Sequence, residues 1–123
     1  MEEVDQKELN LPSRKRTSKT TKGVSNFERN QKIREIIFKV VTSELTQGQA
    51  LKILRMDIIG LKQDAYAKLV KVSRKTISEI ENDRGNYTAD VINKVFKPFG
   101  LKVGLVPQST HLLAAIFTKQ DFD

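Results

Sequence analysis

The chain has 123 residues, with 22 Lys and Arg against 15 Asp and Glu, one histidine and no cysteine, for a net charge of +7. That length predicts one domain with tails, the lack of thiols excludes disulfide staples and cysteine metal sites, and the positive balance points to a polyanionic partner. The acidic, polar opening "MEEVDQKELN" does not resemble a secretory signal, and no apolar run reaches membrane-spanning length, so a water-soluble cytoplasmic protein with no membrane partner is expected.

Residues 1–24 carry almost nothing to pack. "SRKRTSKTTKG" is a cationic, Ser/Thr-rich arm expected to be disordered, either tracking DNA or simply solvated. An amphipathic helix is expected over 25–45. Ser25 and Glu28 form a capping-box pattern, and Phe27, Ile33, Ile36, Ile37, Val40 and Val41 recur at helical spacing up to Leu45. A domain over 46–107 follows. Thr46 and Gln49 repeat the capping pattern before "ALKILRMDII", which Gly60 closes. "LKQDAYAKLVKV" predicts a two-turn helix broken at Lys71 and Val72. Ser73 then caps the next helix, with Val72 and Ile77 as a hydrophobic staple.

After the loop "DRGNY", Thr88 caps a last core helix bearing Val91, Ile92, Val95, Phe96 and Phe99, which Pro98 and Gly100 terminate. "LKVGLV" alternates as a strand does. It has no evident partner in its own chain, and an unpaired edge templates pairing with another copy. A homodimer is therefore expected, with Leu101, Val103 and Leu105 over Phe96 and Phe99. The tail 108–123, which ends "HLLAAIFTKQDFD", is ambiguous, though Leu-Leu-Ala-Ala favours a helix or docking segment over a strand.

The segment "VSRKTISEIEN" carries the chemistry. With Ile77 set at 0° and about 100° per residue, Ile80 and Glu81 fall near one stripe, while Lys75, Ser78, Glu79 and Asn82 face away at roughly 100° to 200°. Arg74, Lys75, Thr76 and Ser78 are the candidate base readers, since such groups match base edges in the major groove. Lys62, Gln63, Lys71, Ser73, Asn82, Arg84 and Asn86 are the candidate phosphate-contacting or positioning residues, Gln63 because helix N-terminal N–H groups suit phosphate. The plain alternative for all of them is a solvated helix face. Glu79 would repel phosphate; its carboxylate can accept from the cytosine amino group, though its expected part is only to help exclude wrong bases. Glu81, beside the buried stripe, needs a partner, and Arg55 is the candidate. His111 has no companion ligands, so no metal is expected. No catalytic constellation or cofactor motif appears, and an enzyme is not expected.

"GLKQDAYAKLVKVSRKTISEIEN" resembles the five-helix domain of lambda-repressor-like and Cro-like regulators, the XRE family, with Gln63, Ala67, Val72, Ile77 and Glu81 matching its pattern in order over roughly residues 46–100. "DRGNYTADVINKVFKPFGLKVGLV" is similar to HipB-type antitoxins. The resemblance implies a homodimeric repressor of its own operon, bound to palindromic double-stranded DNA, with a HipA-type kinase toxin as partner. Alternatives are a stand-alone regulator of the family, or an adaptor that binds a protein through the basic face. Lys62 stands where the family has Thr or Ser, and Lys71 where it has Gly, which implies a left-handed lysine strained by about 1–2 kcal/mol. Arg55 lies one residue further from Gln63 than the family's arginine, an offset that one extra residue before Gly60 would absorb. The expected fold is mainly α: a helix-turn-helix domain, a long preceding helix, and one short C-terminal strand paired across the dimer.

Overall fold

Hydroxyl side chains open most of the helices in the computed structural model, which describes residues 25–120. The arm expected over 1–24, and the last three residues of the tail, lie outside the described residues. α1 (Asn26–Val41) starts at a complete capping box. Ser25 Oγ accepts from the Glu28 N–H at 3.1 Å, and Glu28 Oε1 accepts from the Ser25 N–H at 3.2 Å. Thr46 and Gln49 make the same reciprocal pair at the start of α2 (Gln47–Ile53). Ser73 caps α4 (Arg74–Glu81) and Thr88 caps α5 (Ala89–Phe96). α3 (Gln63–Val70) begins at Lys62, which makes no side-chain cap bond, as a lysine in place of a hydroxyl residue dictates. The tail resolves as α6 (Thr110–Gln120). The described residues are mainly helical, and none of these helices is long and apolar enough to cross a membrane.

α1 stops at Val41 and does not run to Leu45. The Thr42 hydroxyl donates to the Phe38 carbonyl at 2.7 Å, and Ser43 turns left-handed at φ 66°. α2 continues as a π-helical stretch over Leu54–Ile59, where the Gly60 N–H reaches back five residues to the Arg55 carbonyl at 2.7 Å. A π turn takes in one more residue than an α turn. The extra residue expected before Gly60 has room here, inside the helix.

One turn ends four helices. The N–H after the left-handed residue bonds a carbonyl five back, and that residue's own N–H bonds one three back, which is the Schellman pattern. It recurs at Ser43, Lys71, Asp83 and Gly100. Only the last is the glycine that accepts such a backbone freely. Lys71 sits at φ 62°, ψ 47° with an exposed side chain. Lys71→Gly is therefore expected to stabilise the fold by roughly 1 kcal/mol, less the extra unfolded-state freedom of glycine. A midpoint of urea unfolding that falls instead would show that the lysine is not strained.

The core joins α1 through Ile33 and Ile36 to Leu51, Leu54 and Ile58 of α2, Tyr66 and Val70 of α3, Ile77 and Ile80 of α4, and Ile92 and Val95 of α5. Tyr66 is fully buried. Its hydroxyl donates to the Val95 carbonyl at 2.6 Å and its ring stacks on Phe99. Burial raises the phenol's pKa well above its ordinary value, the Glu81 charge adds to this, and Arg55 opposes it.

One expectation needs correction. No strand forms among the described residues. Leu101–Val106 has no regular secondary structure, and the Val103 N–H donates to Asn93 Oδ1 at 2.7 Å. Alternation makes a strand only when a ladder is available, and within one chain this segment has none. Leu101 instead packs on the core, Val103 is partly exposed, and Leu105 is fully exposed. Phe96 and Phe99, expected beneath an intermolecular ribbon, are buried in the chain's own core at 7% and 5% exposure. Phe96 also lines an apolar groove of about 330 Å³ between α1, α2, α5 and the segment 101–106.

Candidate nucleic-acid interface

α3, the turn Lys71–Ser73 and α4 bring two short helices together, and α4 is bolted down from behind. Its inner side buries Ile77, Ile80 and Glu81. Glu81 meets Arg55 in a two-pronged pair, Nε to Oε2 at 2.6 Å and a second guanidinium nitrogen to Oε1 at 3.0 Å, with side-chain exposures of 7% for Arg55 and 2% for Glu81. Arg55 also donates to the Leu61 carbonyl at 2.8 Å, and Gln63 Nε2 donates to Glu81 Oε1 at 2.9 Å. A buried carboxylate is tolerable only with such saturation. The π turn delivers Arg55 to this pairing despite the longer spacing to Gln63.

A second anchor holds the far end. Asp83 follows α4 in a left-handed conformation, and its carboxylate accepts from the Thr46 hydroxyl at 2.7 Å and from the Gly48 N–H at 3.0 Å. These donors lie at the N-terminus of α2, where a negative charge is favoured. Gly48 is what permits the approach, because a Cβ there would stand 2.2 Å from the Ile80 carbonyl oxygen.

The candidate base readers fall on the opposite side. Arg74 and Lys75 are strongly exposed in the first turn of α4, and Thr76 and Ser78 are half-buried on its flanks. Arg74 Nε lies 3.2 Å from Asp64 Oδ1 in the first turn of α3, an exposed pair that fixes a direction more than it adds stability. Thr76 Oγ1 and Ser73 Oγ share a hydrogen bond at 2.9 Å while Ser73 caps the helix.

Among the candidate positioning residues, Lys62, Lys71, Arg84 and Asn86 are exposed. Asn82 folds its amide back onto the Ser78 carbonyl at 2.8 Å. Gln63 commits one N–H to Glu81, which leaves the second N–H and its carbonyl for an outside partner.

Three participants escaped the sequence reading: Asp64, Asp83 and Tyr87. The Tyr87 hydroxyl donates to Glu79 Oε1 across the loop 82–88. Asp64 could have been found once α3 and α4 were set with their first turns adjacent. Asp83 reaches 37 residues back to Thr46, and nothing local signals that.

Residues 51–106 match the helix-turn-helix family model. The match begins inside α2 and ends with the segment after α5, so α1 and α6 lie outside it. No curated protein and no solved structure matches the chain.

Proposed function

We propose that the protein is a sequence-specific DNA-binding regulator of the XRE type that represses transcription by occupying an operator. The observation that carries this is α4: its first turn presents Arg74 and Lys75 to solvent, while its inner side and far end are fixed by Glu81 and Asp83. A rigid helix with cations in its first turn is what major-groove reading needs. Arg74, Lys75, Thr76 and Ser78 read base edges; Lys62, Gln63, Lys71, Ser73, Asn82, Arg84 and Asn86 position the protein on the backbone. No cofactor takes part, and the work is binding, not catalysis.

The working form is a homodimer on a palindromic site, with its two α4 helices about 34 Å apart. The apolar surface of Val103, Leu105 and Val106 beside the α1–α5 groove supports association through 101–106. The likeness of residues 83–106 to HipB-type antitoxins supports a HipA-type kinase toxin as partner. A regulator without a toxin is the alternative, and identifying what co-purifies with the protein separates the two.

In a salt titration on an enriched site, Arg74→Ala or Lys75→Ala is expected to cost about 1–3 kcal/mol and to relax preference at one or two base pairs. Lys62→Ala and Arg84→Ala are expected to weaken all sequences alike and to flatten the log–log salt slope by about one unit each. Four indistinguishable responses would overturn this sorting. A half-site motif without its inverted repeat would overturn the dimer.

A further inference from the structure

Glu79 is an unexpected residue on a face that would meet a polyanion. It lies near the centre of the outer side of α4, between Lys75 one turn earlier and the Tyr87 hydroxyl from the following loop. Lys75 Nζ is 4.0 Å from Glu79 Oε2, and the Tyr87 hydroxyl is bonded to Oε1. The two carboxylate oxygens therefore have separate jobs: one is held by a phenol, and the other is left beside an ammonium group. The loop is shaped for this. Gly85 is left-handed at φ +77°, and a Cβ there would come within 2.8 Å of the Tyr87 ring and 3.2 Å of Glu79 Oε1. The bond also lifts the Tyr87 phenol's pKa above its ordinary value, with burial adding and a bond from Thr76 opposing.

We infer that Lys75 and Glu79 together read a single G·C base pair, with Tyr87 as the positioning residue that fixes the carboxylate. This rests on α4 being the helix that enters the major groove. A G·C pair presents two acceptors, guanine O6 and N7, followed by one donor, the cytosine amino group. The ammonium of Lys75 matches the guanine end, and Glu79 Oε2 matches the cytosine end. Adenine is the poorer match, because its amino group sits beside the N7 acceptor, which a carboxylate repels. Thymine offers no donor in this groove, so the carboxylate rejects it. An unheld glutamate would swing toward solvent or toward Lys75 alone. The hydroxyl of Tyr87 removes that freedom, and so turns a repulsive charge into a directional acceptor.

The test is selection of binding sites from a random-sequence duplex library by the full-length protein, alongside Glu79→Gln and Tyr87→Phe. The wild type is expected to enrich a motif containing an invariant G·C pair in each half-site. Glu79→Gln should bind non-specific duplex more tightly, having lost a negative charge, and should accept A·T at that pair, since an amide suits adenine. Tyr87→Phe should lose about tenfold of the discrimination at the same pair, a larger change than in its affinity for non-specific duplex, because the phenol carries no charge. An NMR titration of the Tyr87 ring adds a readout without DNA: in Glu79→Gln its pKa should fall back toward the ordinary phenol value. If the wild type enriches a motif but Tyr87→Phe leaves every position unchanged, or Glu79→Gln leaves the ring titration unchanged, the inference is overturned and the regulator reading stands. If the wild type enriches no motif, both are overturned.

Discussion

Glu81→Ala is expected to destabilise the protein by about 3–5 kcal/mol, because it strands the Arg55 guanidinium in the core without its counter-charge. Arg55 is 6% exposed and would keep only its bond to the Leu61 carbonyl. Gln63 would lose its partner as well. Arg55→Ala should cost a similar amount, by leaving a carboxylate that is almost entirely buried. Domains of this kind hold about 5–15 kcal/mol in total, so either variant should melt far below the wild type. The pair Arg55→Met with Glu81→Leu should recover much of the loss, since removing both charges also removes both desolvation penalties. Urea unfolding of the three variants measures this. Single variants no worse than the double would mean that the charges are not mutually dependent.

Gly48→Ala is expected to cost about 3 kcal/mol, at the upper end of what overpacking does. Alanine in place of glycine within a helix normally gains close to 1 kcal/mol, so the sign itself is diagnostic. Here the added carbon meets backbone: the Ile80 carbonyl oxygen at 2.2 Å and the Glu81 carbonyl oxygen at 2.9 Å, with Asp83 Oδ1 at 2.7 Å. Backbone in the last turn of α4 cannot swing aside as a flexible side chain would. Relief requires α2 to retreat, which breaks the bonds from Asp83 to Thr46 and Gly48. Gly104→Ala, with nothing within 4 Å of the new carbon, is the matched control and should be close to neutral. Equal unfolding midpoints for the two variants would contradict the close approach.

What could be read in advance was whatever local chemistry decides. The boxes at Ser25 and Thr46, the caps at Ser73 and Thr88, and the demand of Glu81 for a cation each follow from a few neighbouring residues and the stripe they border. The left-handed lysine at 71 was legible because the segment's resemblance placed a turn there. The need for an extra residue before Gly60 was legible from the Arg55 offset, but not the π turn itself, since "LRMDII" is an ordinary helical sequence. Leu101–Val106 misled because alternation describes a strand's faces without supplying its hydrogen-bond partner. Tyr87 was passed over because it touches Glu79 only when Gly85 folds the loop back over α4. The part of the site hardest to foresee is thus the set of contacts that close across loops, where sequence distance says little about distance in space.

The attachment of α1 has a consequence for where this protein begins as a physical object. α1 lies outside the matched family segment, yet Ile33 and Ile36 are buried with the core, and Arg29 donates to the Pro98 carbonyl at 2.8 Å across the far side of the fold. Its backbone hydrogen bonds should open only when the whole domain opens, so its amides belong to the slowest-exchanging class and not to a fraying extension. The unit that folds in one cooperative step is thus expected to be larger than the unit that the family pattern defines, and a fragment trimmed to that pattern would be missing part of its own interior.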